Sequence, residues 1–573
     1  MNKKLNIIGI FPKENASACL LQDGKIIAVG EEERFNRIKT GGGGLPLNSI
    51  KYVLEEGNIS LDDVDCIAVA WNCKKYPDYM EKYRDEHLTN RSSIDFLIEK
   101  GKTATWNPEY IEFKLRTGLQ MMGVSGELPE IKYVPHHLCH AASTFYLSKF
   151  KEALILTIDG SGEENTTVIW KGVGDKITKV KEINIPNSLG WFYSAITEFL
   201  GFRSNSGEGK VMGLAPYGSE IQEMRDKFEK IMKITEDSYE IDTSYIYYDE
   251  RSYSAKFTDK LVDLLGSPRK KGEEFTLFHK DVAYMAQSFL EEAVTNLVSL
   301  GIKETGLNNV CVAGGVGMNC KMNGKILEMD EVNDVFVVPP SSDNGTSIGS
   351  ALQVYKSMGL NPREQELESV YYGPSFSNEE IKRILDYCKL NYTYHDNIEE
   401  VVAEKIYDNK IIGWYQGRME IGSRALGNRS ILANPLNKDM KDIINSNVKH
   451  REAFRPFCPS MLKEDAGKYL ENIDSAPYMI VAYQAKDGVD KLLPSVVHVD
   501  NSVRPQTVTK EQNLRYWNLI NEFKKLSGES VILNTSFNIA GEPIVCTPQE
   551  AIRCFFGTGI DILTLGNYLI EKS

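Results

Sequence analysis

The chain opens with short apolar runs separated by polar turns. Three of these runs have the length and composition of β-strands, namely residues 5–11, 17–22 and 25–29. The Asp23-Gly24 pair between the last two is a typical hairpin turn. A similar arrangement recurs over residues 153–180, where an apolar strand ends at Asp159 and a second hairpin follows. The two copies favour a duplicated α/β domain whose loops face each other across a cleft, and two unrelated hairpins are the alternative.

The next clear elements lie in the middle of the chain. Apolar residues recur at helical spacing over 284–300, and a buried strand then runs into a glycine-rich turn at Gly314 and Gly315 that ends at Asn319. Glycines in such a turn let backbone amides approach a nucleotide closely, although one Gly-Gly turn is a weak indication by itself. A further apolar strand ends at Asp343, where a carboxylate lies at the mouth of an α/β sheet.

Periodicity is lost over residues 358–380, which contain several turn-forming residues. We therefore expect a first domain over 1–357, a linker over 358–380 and a second α/β domain over 381–573. A chain of 573 residues is too long for one hydrophobic core, which agrees with this division.

Composition and charge indicate a soluble protein that acts on small molecules. The hydrophobic fraction is 42%, and no apolar run approaches the roughly 18 residues that span a bilayer. The amino terminus is more typical of a first strand than of a signal peptide. The ten cysteines are dispersed without a Cys-x-x-Cys pattern, which suits reduced thiols in the cytoplasm. The net charge of −14 argues against a general nucleic-acid-binding surface.

Three of the eight histidines lie within five positions, at His136, His137 and His140. If the following small residues continue a helix, His136 and His140 share one face with their Cβ atoms about 5–6 Å apart. That spacing lets two neutral imidazoles bind one divalent cation, and Asp343 is the candidate third ligand. The alternatives are a helix start with polar histidines near solvent, and a helix-capping role for Asp343.

The acidic background gives way to a basic segment between residues 418 and 455. Its lysines and arginines alternate with Gly, Phe and Pro, and they are Arg418, Arg424, Arg429, Lys438, Lys441, Lys449, Arg451 and Arg455. Guanidinium groups bind oxyanions through two hydrogen bonds, so a phosphate-binding pocket is favoured over a solvated basic face. Further on, an apolar strand opens at Ser536 and Asn538, whose side chains can orient phosphate or carbonyl oxygens without adding charge.

Together these segments resemble, over nearly the whole chain, the ATP-dependent carbamoyltransferases of the nodulation and antibiotic-biosynthesis family. In the first domain the resemblance is carried by residues 31–39, 136–140, 210–218, 313–319 and 340–345. In the second domain it is carried by Lys449-x-Arg451, Ser536-x-Asn538 and residues 498–508. The resemblance implies a duplicated actin/sugar-kinase-like N-terminal domain, similar to the universal tRNA threonylcarbamoyl transferase, followed by an α/β YrdC-like C-terminal domain.

For the second domain, the resemblance implies formation of carbamoyl adenylate. Carbamoyl phosphate is hydrolysed to carbamate, which attacks ATP and releases pyrophosphate, and Mg²⁺ is expected at this site. Phosphoryl and adenylyl transfer depend on positioning and charge neutralisation, which the basic segment suits. The residues assigned to the site are Lys449, Arg451, Ser536, Asn538, Arg418, Arg424 and Arg504.

For the first domain, the resemblance implies transfer of the carbamoyl group from the adenylate to an acceptor hydroxyl. The metal would be bound by His136, His140 and Asp343. It is generally taken to be iron (Fe²⁺) in relatives, although two imidazoles and a carboxylate also accept zinc or manganese. The residues expected to bind the adenylate or line the cleft are Gly314, Gly315, Asn319, Asp159, Lys39, Lys210 and Tyr217.

The first loop departs from the family pattern. Relatives usually carry a histidine there as a candidate general base, whereas this chain has Glu14-Asn15. A glutamate can act as a base if its surroundings raise its pKa toward neutrality. Glu14 is therefore the candidate base. There are two alternatives to Glu14: the base lies elsewhere in the chain, or the acceptor hydroxyl needs less activation.

Two other enzyme classes compete with this interpretation. A sugar-kinase-like phosphotransferase explains the first domain but leaves the basic segment of the second without a role. A tRNA threonylcarbamoyl-type transferase fits both domains, but the acidic net charge and the lack of a basic stripe count against it. We expect instead a small-molecule alcohol as acceptor, a natural product or a sugar, with no nucleic-acid or membrane partner. These segments do not encode the identity of the acceptor or whether the chain forms a homodimer.

Overall fold

A computed structural model describes residues 4–75, 78, 107–247 and 255–572 of the chain. These residues form two compact units. Residues up to 29 and residues 43–367 make the first unit, whereas residues 30–42 and those from 368 onward make the second. The break after residue 367 lies inside the expected linker. Residues 30–42 pack in the second unit, although residues 1–357 were expected to form the first domain.

The first unit contains two five-stranded sheets. The strands of the first sheet are β1 (Asn6–Phe11), β2 (Ser17–Gln22), β3 (Lys25–Glu31), β4 (Cys66–Val69) and β5 (Glu130–Tyr133). They lie in the order β3-β2-β1-β4-β5, with β1 antiparallel to β2 and parallel to β4. Every residue of β1 is buried, as expected for an apolar central strand in a sheet covered on both faces.

The second sheet repeats this arrangement. Its strands, with those of a small separate hairpin, are β6 (Glu152–Gly162), β7 (Asn165–Val173), β8 (Lys176–Asn184), β9 (Met232–Ile234), β10 (Tyr239–Ile241), β11 (Asn309–Ala313) and β12 (Asp334–Val337). The order is β8-β7-β6-β11-β12, again with three antiparallel strands followed by two parallel ones, while β9 and β10 pair with each other. Strand order and direction match between the two sheets, which confirms the predicted duplicated actin-like domain.

Equivalent helices follow the last strand of each sheet. The helix His136–Leu147, called the histidine helix below, follows β5, and Thr346–Ser357 follows β12. The two helices pack closely against each other at Gly349. A Cβ atom at this position would lie only 1.8 Å from the carbonyl oxygen of Cys139. Only glycine fits at this contact, which fixes the histidine helix against its counterpart.

Other helices of the first unit complete its layers. They are Leu47–Gly57, Pro108–Met121, Leu189–Phe199, Glu208–Leu214, Gln222–Ile231, Asp259–Leu265, Leu277–Thr305 and Cys320–Leu327. The longest begins at a capping box formed by Thr276 and His279 and ends before Gly306, which has a left-handed conformation. In the part of the chain that the structure describes, no helix combines the length and apolar character that a membrane span requires.

The second unit is built on an eight-stranded sheet. Its strands and those of a small hairpin are β13 (Thr393–Tyr394), β14 (Ile412–Tyr415), β15 (Arg429–Ala433), β16 (Cys458–Leu462), β17 (Tyr483–Gln484), β18 (Ser502–Val503), β19 (Gln506–Val508), β20 (Val531–Ser536), β21 (Ile562–Leu565) and β22 (Tyr568–Glu571). The sheet order is β13-β22-β21-β14-β15-β20-β16-β19, and β17 pairs with β18. Two of its pairs, β14 with β21 and β16 with β19, are parallel.

Alternating strand residues of this sheet enter two separate cores. Ile431 and Leu533 belong to one core, and their chain neighbours Leu432 and Ile532 belong to the other, because successive side chains of a strand point to opposite faces. The helices of this unit are Glu32–Asn36, Asn378–Tyr387, Ile398–Tyr407, Met440–Ile444, Ala466–Tyr469, Val489–Leu492, Lys510–Ser527 and Pro548–Phe556. A second α/β domain agrees with the predicted fold class, and its likeness to YrdC remains a prediction.

Candidate functional site

The histidine helix carries two imidazoles to one point beside β6. It starts directly after Pro135, and His136 and His140 are one helical turn apart. Both side chains are fully buried, and their Nε2 atoms lie 3.1 Å from each other. The two nitrogens therefore converge on the same small volume.

Two carboxylates complete a group of four side chains, called the metal group below. Asp159, on β6, places Oδ2 3.3 Å from His136 Nε2 and 3.1 Å from His140 Nε2. Asp343, in the helical turn after β12, places Oδ1 3.5 Å from His136 Nε2 and 3.7 Å from His140 Nε2. One ligand atom of each residue lies within 4.8 Å of the others. The duplicated topology brings these four residues together from three segments of the chain.

The donor atoms of the metal group suit a divalent metal ion. His136 Nδ1 is 3.1 Å from the carbonyl oxygen of Ala70, which can only accept, so Nδ1 carries a proton and Nε2 is the nitrogen that can bind a metal ion once the metal displaces its proton. Ligand bonds of ~2.0–2.1 Å in tetrahedral geometry place neighbouring donors roughly 3.3–3.4 Å apart, close to the spacing found here. The Oδ1 atom of Asp343 is buried and has no hydrogen-bond partner among the residues that the structure describes. A cation between the donors would give this oxygen a partner.

Three neighbouring residues hold the imidazoles in place. Glu163 accepts the backbone N–H of His136 at 3.1 Å. The His137 imidazole instead pairs through Nδ1 with Thr157 Oγ1 at 2.9 Å. A Cβ on Gly162 would lie 2.4 Å from His136 Cδ2, so glycine is needed at this position to admit the ring. The first and last of these contacts hold the backbone of His136 and leave space for its ring, and the Ala70 carbonyl oxygen binds the ring at Nδ1.

The ionisation of the metal group follows from its close contacts. Burial lowers the pKa of His136, but the carboxylates of Asp159 and Asp343 outweigh burial and raise that pKa to about 10. Burial acts to raise the pKa of Asp159, yet the two imidazoles hold it well below its usual value. Burial, with the neighbouring histidines, lowers the pKa of His137, so that this ring is neutral. The carboxylates thus draw positive charge to this point, whether a proton or a metal ion.

The glycine-rich turn after β11 adjoins the metal group. Gly314 has a φ of 99°, and a Cβ there would lie 2.0 Å from the carbonyl oxygen of Ile158. A Cβ on Gly315 would lie 2.9 Å from Asp159 Oδ1. The turn therefore approaches the strand that carries Asp159 more closely than any larger residue would allow.

Other residues predicted for the first domain lie outside the metal group. Asn319 caps the helix that follows it, and its amide exchanges two hydrogen bonds of 2.9 and 3.0 Å with Gln287. Lys210 Nζ lies 5.2 Å from the ring centre of Phe202. Glu14 lies in the turn between β1 and β2 with an exposed side chain.

The second unit holds a buried lysine among oxygen atoms. Lys449 ends the π-helical turn Asn445–Lys449, and the next residue, His450, has a left-handed φ of 44°. Lys449 Nζ donates to Asn538 Oδ1 at 2.9 Å, to Asn538 O at 3.0 Å and to the Ser536 carbonyl oxygen. Ser536 Oγ donates to Asn538 Oδ1 at 2.7 Å. The fold thus joins the Lys-x-Arg and Ser-x-Asn segments around one ammonium group.

Further arginines lie around this lysine. Arg451 Nε donates to Asn445 Oδ1 at 2.8 Å, and its guanidinium carbon lies 4.3 Å from the ring centre of Phe457. Arg504 donates from two nitrogens to Cys458 Sγ, at 3.1 and 2.9 Å. We call these residues the basic cluster, which consists of Lys449, Arg451, Arg455 and Arg504.

Mutual repulsion shows in the pKa values of the basic cluster. Burial, then the charges of Arg451, Arg455 and Lys39, lower the pKa of Lys449 well below its usual value. Burial and Arg455 lower the pKa of Arg451 to about 9. The pKa of Arg455 is also lowered, chiefly by burial. An anion bound among these groups would relieve the repulsion, which makes the cluster a candidate phosphate site.

Two arginines of the basic segment instead hold backbone carbonyl groups. Arg429 is fully buried and donates to the carbonyl oxygens of Gln416, Gly417, Asn428 and Pro374. Arg418 donates to the carbonyl oxygens of Tyr372 and Gly373, at 2.8 and 3.2 Å. Arg424 lies half-buried in the same loop. These hydrogen bonds of Arg418 and Arg429 hold the loop that carries them in its observed conformation.

Sequence reasoning missed the ligand role that the geometry gives to one residue. Asp159 was expected to line the cleft, whereas its carboxylate lies within the metal group. Its position at the end of an apolar strand parallels that of Asp343, and this parallel is the pattern that could have identified it. Arg455 was likewise not assigned to a site, although it lies only six residues after Lys449 in the basic segment.

Comparisons with known proteins identify relatives along the whole chain. Residues 6–352 match the family model for the carbamoyltransferase N-terminus, and residues 403–572 match that for the carbamoyltransferase C-terminus. Protein sll1178 of Synechocystis sp. is 36% identical, over 99% of this chain and 97% of its own length. Nodulation protein NolNO of Sinorhizobium fredii is 36% identical, over 97% of this chain and 79% of its own length.

Among solved structures, full-length HypF in its phosphate- and nucleotide-bound form is similar to this chain with a TM-score of 0.32. The sequence identity is 16%, and the match covers 62% of this chain and 47% of HypF. The two family models together match about nine-tenths of the chain, and the N-terminal one alone spans more than half of it. The chain belongs to the carbamoyltransferase family.

Proposed function

We propose that the chain is an ATP-dependent O-carbamoyltransferase. The second unit would make carbamoyl adenylate from carbamoyl phosphate and ATP, and the first unit would transfer the carbamoyl group to a hydroxyl of a small-molecule acceptor. The observation that carries the proposal is the basic cluster around Lys449, whose basic groups lie close enough inside one unit to lower one another's pKa values, a repulsion that a bound phosphate would relieve. The family membership supports carbamoyl transfer as the overall reaction.

The first reaction has two steps. Water attacks the carbonyl carbon of carbamoyl phosphate, the bond from that carbon to the phosphate oxygen breaks, and carbamate and phosphate result. An oxygen of carbamate then attacks the α-phosphorus of ATP, and pyrophosphate leaves. Lys449, Arg451 and Arg504 would neutralise the charge that develops on the phosphate oxygens, while Ser536 and Asn538 hold the Lys449 ammonium in position. Mg²⁺ would accompany ATP at this site.

The second reaction belongs to the first unit. The hydroxyl oxygen of the acceptor attacks the carbamoyl carbon, the bond to the phosphate oxygen breaks, and AMP leaves. A divalent ion held by His136, His140, Asp159 and Asp343, proposed to be Fe²⁺, would supply Lewis-acid stabilisation of charge on oxygen. The glycine-rich turn at Gly314 would admit the adenylate.

We keep Glu14 as the proposed base that takes the proton of the acceptor hydroxyl. Its place in the first loop, where relatives carry a histidine, supports this role. The cytoplasm is the proposed location, because all ten cysteines are free thiols and reducing conditions preserve them.

Release of pyrophosphate from ATP by the full-length chain tests the proposal. We expect release that depends on carbamoyl phosphate, and transfer of the carbamoyl group to one member of a panel of alcohols, detected by mass spectrometry. In the same assay, Glu14→Gln is expected to leave pyrophosphate release unchanged and to slow transfer about 100-fold or more. Full transfer by this variant would remove Glu14 as the base.

The competing functions give different products in this assay. Formation of ADP with a sugar would indicate a phosphotransferase, and pyrophosphate release that requires bicarbonate and threonine would indicate the tRNA-modifying reaction. Either result would contradict the proposed function. A chain that releases no pyrophosphate with carbamoyl phosphate present would contradict it as well.

A further inference from the structure

Residues 30–42, called the strap below, are far in sequence from the rest of the second unit but pack within it. The strap begins with the last two residues of β3 and contains the short helix Glu32–Asn36. Its contacts involve two loops of the second unit, one around Gly422 in the basic segment and one just after Asn538. The first loop carries Arg424, and the second carries Ser536 and Asn538, three residues that the sequence assigned to the phosphate site.

The first contact is a buried ion pair that holds the loop at Gly422. Arg34 is 4% exposed, and its guanidinium contacts Glu31 at 3.0 Å and Glu33 at 2.8 Å. It also donates to the carbonyl oxygen of Gly422 at 2.8 Å, while Glu31 accepts the Gly422 N–H at 3.2 Å. Burial lowers the pKa of Arg34, but the charges of Glu31 and Glu33 outweigh it and raise that pKa, so the group remains charged.

The second contact is made by Arg37, which ends the short helix in a left-handed conformation with a φ of 60°. Its two terminal nitrogens donate to the carbonyl oxygens of Ile544, at 2.7 Å, and Pro543, at 2.8 Å. The same guanidinium lies 3.1 Å from Glu550 Oε2. That carboxylate also accepts the backbone N–H of Cys546 at 2.6 Å, so Arg37 and Glu550 together fix the chain between residues 543 and 546.

The backbone at Pro543 is linked to Lys449 by one peptide bond and two hydrogen bonds. The residue before Pro543 is Glu542, whose carbonyl oxygen accepts from Asn538 Nδ2 at 2.7 Å. Asn538 Oδ1 in turn accepts from Lys449 Nζ at 2.9 Å. A shift of the 542–545 backbone would therefore move the side-chain amide of Asn538, which orients the Lys449 ammonium.

Arg37 is suited to this position because its planar guanidinium group binds two adjacent carbonyl groups at once. A shorter side chain, or one with a single donor atom, cannot do so.

We infer that the strap is a structural part of the phosphate site in the second unit, and that Arg37 is a positioning residue that acts on Lys449 through the 536–545 loop. This inference rests on the proposal that the basic cluster binds phosphate groups. Residues 368–573 would then form an incomplete site without the strap.

Binding of inorganic pyrophosphate to the full-length chain, measured by isothermal titration calorimetry, tests the inference. We expect Arg37→Ala to raise the Kd for pyrophosphate and the KM for carbamoyl phosphate about tenfold, with no change in metal bound by the metal group. Millimolar guanidinium is expected to restore much of the affinity, because it can occupy the vacated fork position. Arg37→Lys, which keeps the charge but loses the fork, is expected to lie between Arg37→Ala and the unsubstituted chain.

The matched control is Arg553→Ala. Arg553 lies on the helix Pro548–Phe556, is exposed and pairs with the side chain of Glu542 at 2.6 Å. This variant therefore removes a guanidinium that contacts the same loop but is not part of the hydrogen-bond series. It is expected to leave the Kd for pyrophosphate within about twofold, as for an exposed ion pair. Should Arg37→Ala fail to fold, Arg37→Lys and guanidinium carry the same test.

Three results would overturn the inference: a Kd within twofold of the unsubstituted chain for both Arg37 variants, equal weakening by Arg553→Ala, or no binding of pyrophosphate by the unsubstituted chain. If the unsubstituted chain binds pyrophosphate but releases none from ATP with carbamoyl phosphate, the proposed function fails while the inference about the strap stands.

Discussion

Asp159 links the two features of the first unit that sequence reasoning treated separately. Its Oδ2 faces both imidazoles, and its Oδ1 lies beside Gly315 of the glycine-rich turn. One carboxylate oxygen thus belongs to the metal group, while the other accepts the N–H of Gly160 at 2.7 Å. At the residue scale, metal binding is therefore expected to depend on the negative charge of the Asp159 carboxylate, which these contacts hold in one orientation.

The variant Asp159→Asn tests the role of this charge in metal binding. The amide is nearly isosteric but neutral, so we expect metal affinity to fall at least about tenfold, measured as metal content after competition with a chelator. The control is Asp334→Asn, at a half-exposed site paired with Lys149, which is expected to keep full metal content. Unchanged metal content in Asp159→Asn would remove this residue from the metal group.

The equivalent helices after β5 and β12 show how much of an element could be predicted. The spacing of His136 and His140 followed from the sequence, because helical periodicity is local. The close approach of Gly349 to the Cys139 carbonyl did not, since it depends on how two helices from distant parts of the sequence pack. This contact sets the distance between the histidine helix and the helix Thr346–Ser357.

Gly349→Ala is expected to separate these two helices. The added Cβ would meet backbone rather than a movable side chain, so we expect a loss of about 3 kcal/mol of stability in urea unfolding, together with weaker metal binding. Gly209→Ala is the control, because a Cβ there has open space and alanine favours the helix Glu208–Leu214. Equal stability of the two variants would show that the helices tolerate a wider spacing.

At the scale of the whole molecule, each of the two units carries one candidate site. The metal group lies entirely in residues of the first unit, and the basic cluster lies in the second with the strap. Each ligand should therefore stabilise the unit that binds it, by an amount set by its concentration relative to its Kd.

Hydrogen–deuterium exchange measured by mass spectrometry tests this assignment. Pyrophosphate at about 100 times its Kd is expected to slow exchange by up to about 100-fold in residues 31–37, 445–455 and 536–546. Removal of metal by a chelator is expected to speed exchange in residues 136–147 instead. Protection of 136–147 by pyrophosphate without protection of 31–37 would contradict the assignment of the strap to the second unit.

The sequence by itself determined the features that rest on local patterns. Strand runs, the Asp23-Gly24 hairpin, the one-turn spacing of His136 and His140, and the Lys449-x-Arg451 run all depend on neighbours within a few residues. Only the tertiary structure decided that Asp159 joins the metal group, that Arg418 and Arg429 hold backbone carbonyls, and that Arg37 contacts Pro543 and Ile544. The physical reason is that hydrogen bonds and ion pairs act over a few ångströms in space, and residues distant in sequence reach that range only when the sheets and helices have packed.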